Sequence, residues 1–141
     1  MKRVFLFLII SILANTSQSW ALPAIDLEAI KLIESGGIAD AVSPRGAIGL
    51  YQITPIALQD FNRCTGKSYS KDDLYAFWIN KEIARWLFTK RIPQILKSKK
   101  QAVTIRHVLI SWNAGHKWVG KKRIPRETKN FLEKYRKAVR P

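Results

Sequence analysis

The chain has one cysteine, Cys64, in 141 residues, so it forms no intramolecular disulfide. With His107 and His116 as its only histidines, it has too few soft ligands for a structural zinc site. Acidic residues are scarce: 10 Asp and Glu stand against 25 Lys and Arg, a formal charge of +15. An excess of that size calls for an anionic partner or surface: nucleic acid, anionic lipid or an acidic wall polymer. Strand-type alternation is nearly absent, and no repeat, Ser/Gly linker or compositional break divides residues 22–141. After residue 13 no apolar run is long enough to span a bilayer. What is plentiful is apolar residues, 47%, with 11% aromatics, which excludes a disordered chain. The length suits one domain with an ordinary packed core.

Residues 1–21 read as a secretory signal. Lys2 and Arg3 precede an apolar run over residues 4–10, and Ser19-Trp20-Ala21 puts small residues at the third and first places before a cut. A retained anchor is the other reading, but ten residues rise only about 15 Å as a helix, half a bilayer core. Cleavage after Ala21 leaves residues 22–141 with a charge of +13. Export weakens the nucleic-acid reading of that charge, and the mature chain is expected to be periplasmic or secreted, with no transmembrane segment.

The mature chain reads as all-α, or α-dominated, with roughly five to seven helices in a single domain. Pro23 suits a first helical turn, and Leu27, Ile30 and Ile33 recur at helical spacing up to Glu34. Residues 35–49, with four glycines and Pro44, read as a loop. Thr54-Pro55 looks like an N-cap and first-turn proline opening a short helix to about Asn62. Ser70 and Asp73 form a capping-box-like start for another helix. From Leu74 to Leu96 the pattern is helical, with Trp78, Ile79, Ile83, Trp86 and Leu87 on one face and Pro93 as a kink or restart. A helix from about Ala102 to Asn113 would bury Ile105, Val108, Leu109 and Trp112. Pro125 opens a last helix with Phe131, Leu132 and Tyr135 toward the core.

The densest motif is Glu34-Ser35-Gly36-Gly37, followed by Ser43-Pro44-Arg45-Gly46-Ala47-Ile48-Gly49-Leu50-Tyr51-Gln52-Ile53-Thr54-Pro55. Glu34 ends an apolar helix and opens into a glycine-rich loop, where the helix dipole and apolar neighbours both raise a carboxyl pKa. A general acid working near neutrality needs that shift. Ser43, Tyr51 and Gln52 supply hydrogen-bonding groups beside it.

These residues resemble the soluble-type lytic transglycosylases, whose fold is similar to goose-type lysozyme. The family's Glu-Ser pair matches Glu34-Ser35, and its Gly-Ala-x-Gly-Leu-x-Gln stretch matches Gly46-Ala47-Ile48-Gly49-Leu50-Tyr51-Gln52. Asn113-Ala114-Gly115 and Pro125-Arg126-Glu127-Thr128 with Phe131 follow in family order. The resemblance implies a lyase that cleaves the β-1,4 bond between N-acetylmuramic acid and N-acetylglucosamine in peptidoglycan, leaving 1,6-anhydro ends, with no metal and no cofactor. Glu34 would be the sole catalytic acid and base; Ser43, Gln52 and Asn113 would contact substrate or position Glu34, and Phe131 would line the sugar site. The chain departs from the family at Ile38-Ala39 (often Asn-Pro), Tyr51 (often Met), Trp112 (usually Tyr) and Phe131 (usually Tyr, so one hydroxyl is missing). It is similar to small transglycosylases that accompany conjugation, pilus and secretion machines, which would be its setting, acting as a monomer.

Other readings stay open on the residues alone. A lysozyme-like hydrolase would pair Glu34 with a second carboxylate, Asp40. A noncatalytic peptidoglycan-binding scaffold would keep the fold without the chemistry, and residues 97–100 and 117–126 would suit a nucleic-acid module were the chain not exported. Trp78, Trp86 and Trp112 read as core, His107 as a structural or surface histidine, and Cys64 as a partly buried inert thiol; His116 and Trp118 stand between surface and groove.

Overall fold

The computed structural model describes residues 24–139, and the leader proposed for residues 1–21, like Pro23, lies outside them. Among the described residues six α-helices form one domain, and pairing of strand type is limited to isolated bridges. No helix there is long and apolar enough to cross a membrane.

Helix α1 spans Leu27–Ser35 and is capped by Asp26, whose Oδ1 accepts from the backbone of Glu28 and Ala29 at 2.9 and 3.1 Å. It ends at Gly36, whose φ of +65° turns the chain out of the helix while its N–H bonds Leu32 O. Helix α2 spans Pro55–Thr65; Thr54 Oγ1 caps it by accepting from Ala57 N, with Pro55 at the first position.

Ser70 and Asp73 do form a reciprocal capping box: Asp73 Oδ2 accepts from Ser70 N at 2.7 Å, and Ser70 Oγ from Asp73 N at 3.3 Å. It opens only a 3-10 turn, Asp72–Tyr75, because Ala76 is extended; helix α3 begins afresh at Phe77 and runs to Trp86. A π turn over Leu87–Arg91 joins α3 to α4, Ile92–Ser98. Pro93 is the physical cause: it has no N–H for Thr89 O, and its ring would strike that carbonyl in a regular helix, so the turn widens.

Helix α5 (Ile105–Ala114) is capped by Thr104, and α6 (Arg126–Ala138) starts after Pro125. Helix α6 packs against α1 and α5, α4 against α5, and α2 against α3. Ile30, Phe61, Ile83, Leu96, Leu109 and Phe131 meet in one core cluster. Tyr135 pins α6 to the start of α1, its hydroxyl accepting from Asp26 N at 2.9 Å.

Two expectations about the core fail. Trp78 is 71% exposed, because α3 turns Ile79, Asn80, Ile83 and Ala84 inward and leaves residue 78 on the outer face. Cys64 is exposed on the outer side of α2. Trp86 is part-buried and meets Phe61 edge-on at 5.2 Å.

Candidate active site

The loop between α1 and α2 is a set of tight turns tied across by backbone. Ile48 bridges both Val42 and Ile53, Gly49 N donates to Ala41 O, and Ser43 N donates to Ala47 O. Ser35 Oγ, in the last turn of α1, donates to Leu50 O at 2.9 Å and so locks the helix end that carries Glu34 to this loop.

A buried side chain from α3 holds the loop from below. Asn80 is fully buried; its Oδ1 accepts from Tyr51 N at 2.9 Å, and its Nδ2 donates to Ile48 O and Leu74 O at 2.9 and 2.8 Å. The close approach leaves room only for glycine at 49: a Cβ there would lie 2.3 Å from Asn80 Nδ2, on a backbone with φ of +82°. No sequence signal marked Asn80, since an Asn at an apolar position of a helical stripe reads as a surface residue.

Above the loop lies a cleft of about 380 Å³, walled by α1, the loop, the π turn, α4 and the end of α5. Glu34, Ser43, Gln52 and Asn113 all line it, so four of the six residues singled out from sequence share one surface. Gln52 takes a left-handed backbone, φ +50°, and its Nε2 donates to Ala41 O and Gly49 O, which stiffens the loop at the cleft edge. Ser43 Oγ accepts from Ala47 N at 3.0 Å.

Tyr51 and Phe131 do not line the cleft. Tyr51 has no exposed surface and Phe131 is 5% exposed. The loop crosses the core here, so Ile48, Leu50, Tyr51 and Ile53 are all turned inward, and Phe131 lies on the buried face of α6. The Tyr51 hydroxyl is buried without a hydrogen-bond partner among the described residues.

Glu34 is raised above the ordinary carboxylate range, chiefly by burial; a hydrogen bond from Trp112 and the charge of Lys134 partly offset this. Trp112 Nε1–H donates to Glu34 Oε1 at 2.7 Å, and its ring stacks on Phe88 at 4.3 Å. Trp112 is thus a wall of the cleft as well as part of the core packing, a role its helical spacing alone did not reveal. The other carboxylate lining the cleft is Asp60. Burial pushes its carboxyl up, but hydrogen bonds from Arg91 (2.6 Å) and Arg63 (2.5 Å) outweigh that and hold it below the usual range. Asp40 is exposed and does not line the cleft. His116 lines it; His107 Nδ1–H donates to Ala102 O at 2.7 Å from the first turn of α5, away from it.

A helical domain with a half-buried acid on the wall of an open cleft, held by the Trp112 indole, with Asp60 as the other carboxylate on that wall among the described residues, fits the lysozyme-like class of folds. Residues 12–134 match the family model described as Transglycosylase SLT domain, and the chain belongs to that family. Its members are lytic transglycosylases acting on peptidoglycan. No curated protein and no solved structure matches the chain.

Proposed function

We propose that this protein is an active lytic transglycosylase that cuts the N-acetylmuramic acid–β-1,4–N-acetylglucosamine bond with Glu34 as its only acid and base. The observation that carries the reading is the contrast among the acids. Glu34 is kept protonatable by burial, Asp60 is committed to two arginines, and Asp40 is off the cleft.

In the first half-step Glu34 gives its proton to the glycosidic oxygen as the bond to C1 breaks. The N-acetyl oxygen of the same muramoyl unit bonds C1 and takes up the developing positive charge, so no protein nucleophile is needed. In the second half-step the Glu34 carboxylate removes the proton from the C6 hydroxyl. O6 then attacks C1, the acetamido oxygen leaves, and the 1,6-anhydro ring closes with Glu34 protonated again. The Trp112 indole is a donor only, so it stabilises the carboxylate that exists between the half-steps.

Export by the leader, with Leu22 as the mature N-terminus, would bring the chain to its substrate in the periplasm or outside the cell. Its resemblance to transglycosylases of conjugation, pilus and secretion machines supports local wall opening for such an assembly.

Mass spectrometry of products from purified sacculi tests the reading. Anhydro ends from the wild type and none from Glu34→Gln are expected. Reducing ends, lost in both Glu34→Gln and Asp40→Asn, would replace it with the two-carboxylate hydrolase; intact sacculi that still bind the protein would leave a noncatalytic scaffold.

A further inference from the structure

Between Glu82 and Glu127 the chain carries twelve Lys or Arg and no Asp or Glu. The fold brings two separate parts of this stretch together. Helix α4 packs against the 3-10 turn His116–Trp118, and Gln101 Nε2, just past α4, donates to Val119 O at 3.1 Å. Lys97, Lys99 and Lys100 thereby join Lys117, Lys121, Lys122 and Arg123 in one basic surface. All are exposed, and none forms an ion pair among the described residues.

This surface begins where the cleft ends. Ile95 lines the cleft, and Lys99 follows it by one turn at the end of α4. On the other side Gly115 and His116 line the cleft and Lys117 comes next. Lys99 and Lys117 thus stand next to residues of the cleft wall.

The end of α4 adds a second observation. Gln101 N donates to Leu96 O and Lys100 N to Lys97 O, both at 2.9 Å, which is the double bond of a Schellman turn. The left-handed position of that turn favours glycine, yet it holds Lys100 at φ +55°. A cation is kept where the backbone disfavours any side chain.

We propose that this basic surface binds the carboxylates of the peptides carried by the glycan strand in the cleft, so that the protein selects peptide-bearing over denuded glycan. The proposal rests on the reading that glycan occupies the cleft, which makes the strand's own peptides the anions in register with the lysines. Each exposed contact is weak, but several on one surface act together and fade with salt.

The test uses the full mature chain as Glu34→Gln, to bind without cutting, and reads binding by calorimetry to soluble uncross-linked strands that keep their peptides and to the same strands stripped by an amidase, which leaves one lactyl carboxylate in place of each peptide's several. Peptide-bearing material should bind about tenfold more tightly at low salt, the sum of several weak contacts, and the difference should vanish at high salt. Adding Lys97→Gln, Lys99→Gln, Lys121→Gln and Lys122→Gln should lower binding to the level of stripped strands. Lys100→Gly alone should reduce the peptide preference while its melting temperature holds or rises, which separates binding from folding. Equal binding of both glycans overturns the proposal. So does a preference that survives the substitutions, or binding to phosphatidylglycerol vesicles that the lysines control without any peptide preference. A wild type that shows the preference but yields no anhydro ends sinks the catalytic reading and leaves this one standing.

Discussion

The indole of Trp112 donates to the carboxylate of Glu34 at 2.7 Å, joining α5 to the end of α1 across 78 residues of chain. The bond makes Glu34 a less feeble acid than burial alone would, because a donor to the carboxylate lowers the pKa that burial has raised. The Glu34 carboxyl is therefore tuned from both directions, as the proposed alternation between acid and base requires.

Trp112→Phe keeps a ring to stack on Phe88 but removes the donor. The Glu34 pKa should rise further, so the alkaline limb of the cleavage rate should move to higher pH, with the rate at neutrality falling about tenfold or more as the carboxylate loses its support. A pH–rate profile on sacculi checks this; an unshifted alkaline limb would mean that the bond does not tune the acid.

Glu34 also links stability to pH. Its folded pKa lies above its unfolded one, so the favourable contribution is present at acid pH and is lost as pH rises through the folded value. Glu34→Gln removes that loss and retains an acceptor for Trp112. The variant should melt higher than the wild type at neutral pH, and the gap should close toward acid pH. Calorimetry across the range decides it, and a gap that widens toward acid would contradict the sign.

Asn80 satisfies three backbone groups of the loop between α1 and α2 and of its neighbour turn, and Gly49 makes the approach possible. Asn80→Ala should cost about 2–4 kcal/mol by orphaning buried groups, and Gly49→Ala about 2–3 kcal/mol through contact and backbone strain. Together they should add less than the sum, since each disrupts the same contact. Denaturant titrations of the two single variants and the double form the cycle; full additivity would show that the two residues act independently.

Tyr51 carries a buried hydroxyl with no hydrogen-bond partner among the described residues. Tyr51→Phe should leave cleavage unchanged and raise stability by up to about 1 kcal/mol, as the cost of desolvating that hydroxyl disappears. A marked loss of activity would instead show that the hydroxyl reaches substrate.

The helical class, the caps at Thr54 and at Ser70 with Asp73, the disturbance around Pro93 and the place of Glu34 at a helix end are all legible along the chain. Each depends on neighbours within a turn or two: hydroxyls and carboxylates cap nearby N–H groups, proline removes a donor, and glycine ends a helix. The matched motifs likewise brought Ser43, Gln52 and Asn113 to one cleft with Glu34. Helical spacing did turn Phe131 toward the core, and only the resemblance set it against sugar. Which way Trp78 faces was not legible, because helical spacing defines a stripe without saying how wide the neighbouring elements cover it, and Tyr51 stands in a loop where no period applies. Nor was the company Glu34 keeps. The donor from Trp112, the pairing of Asp60 with Arg91 and the Asn80 support reach across 78, 31 and 29 residues. Contacts of that range exist only once α3, α4 and α5 have packed around the loop, and it is packing that removes water from Glu34 and makes its carboxyl an acid of use.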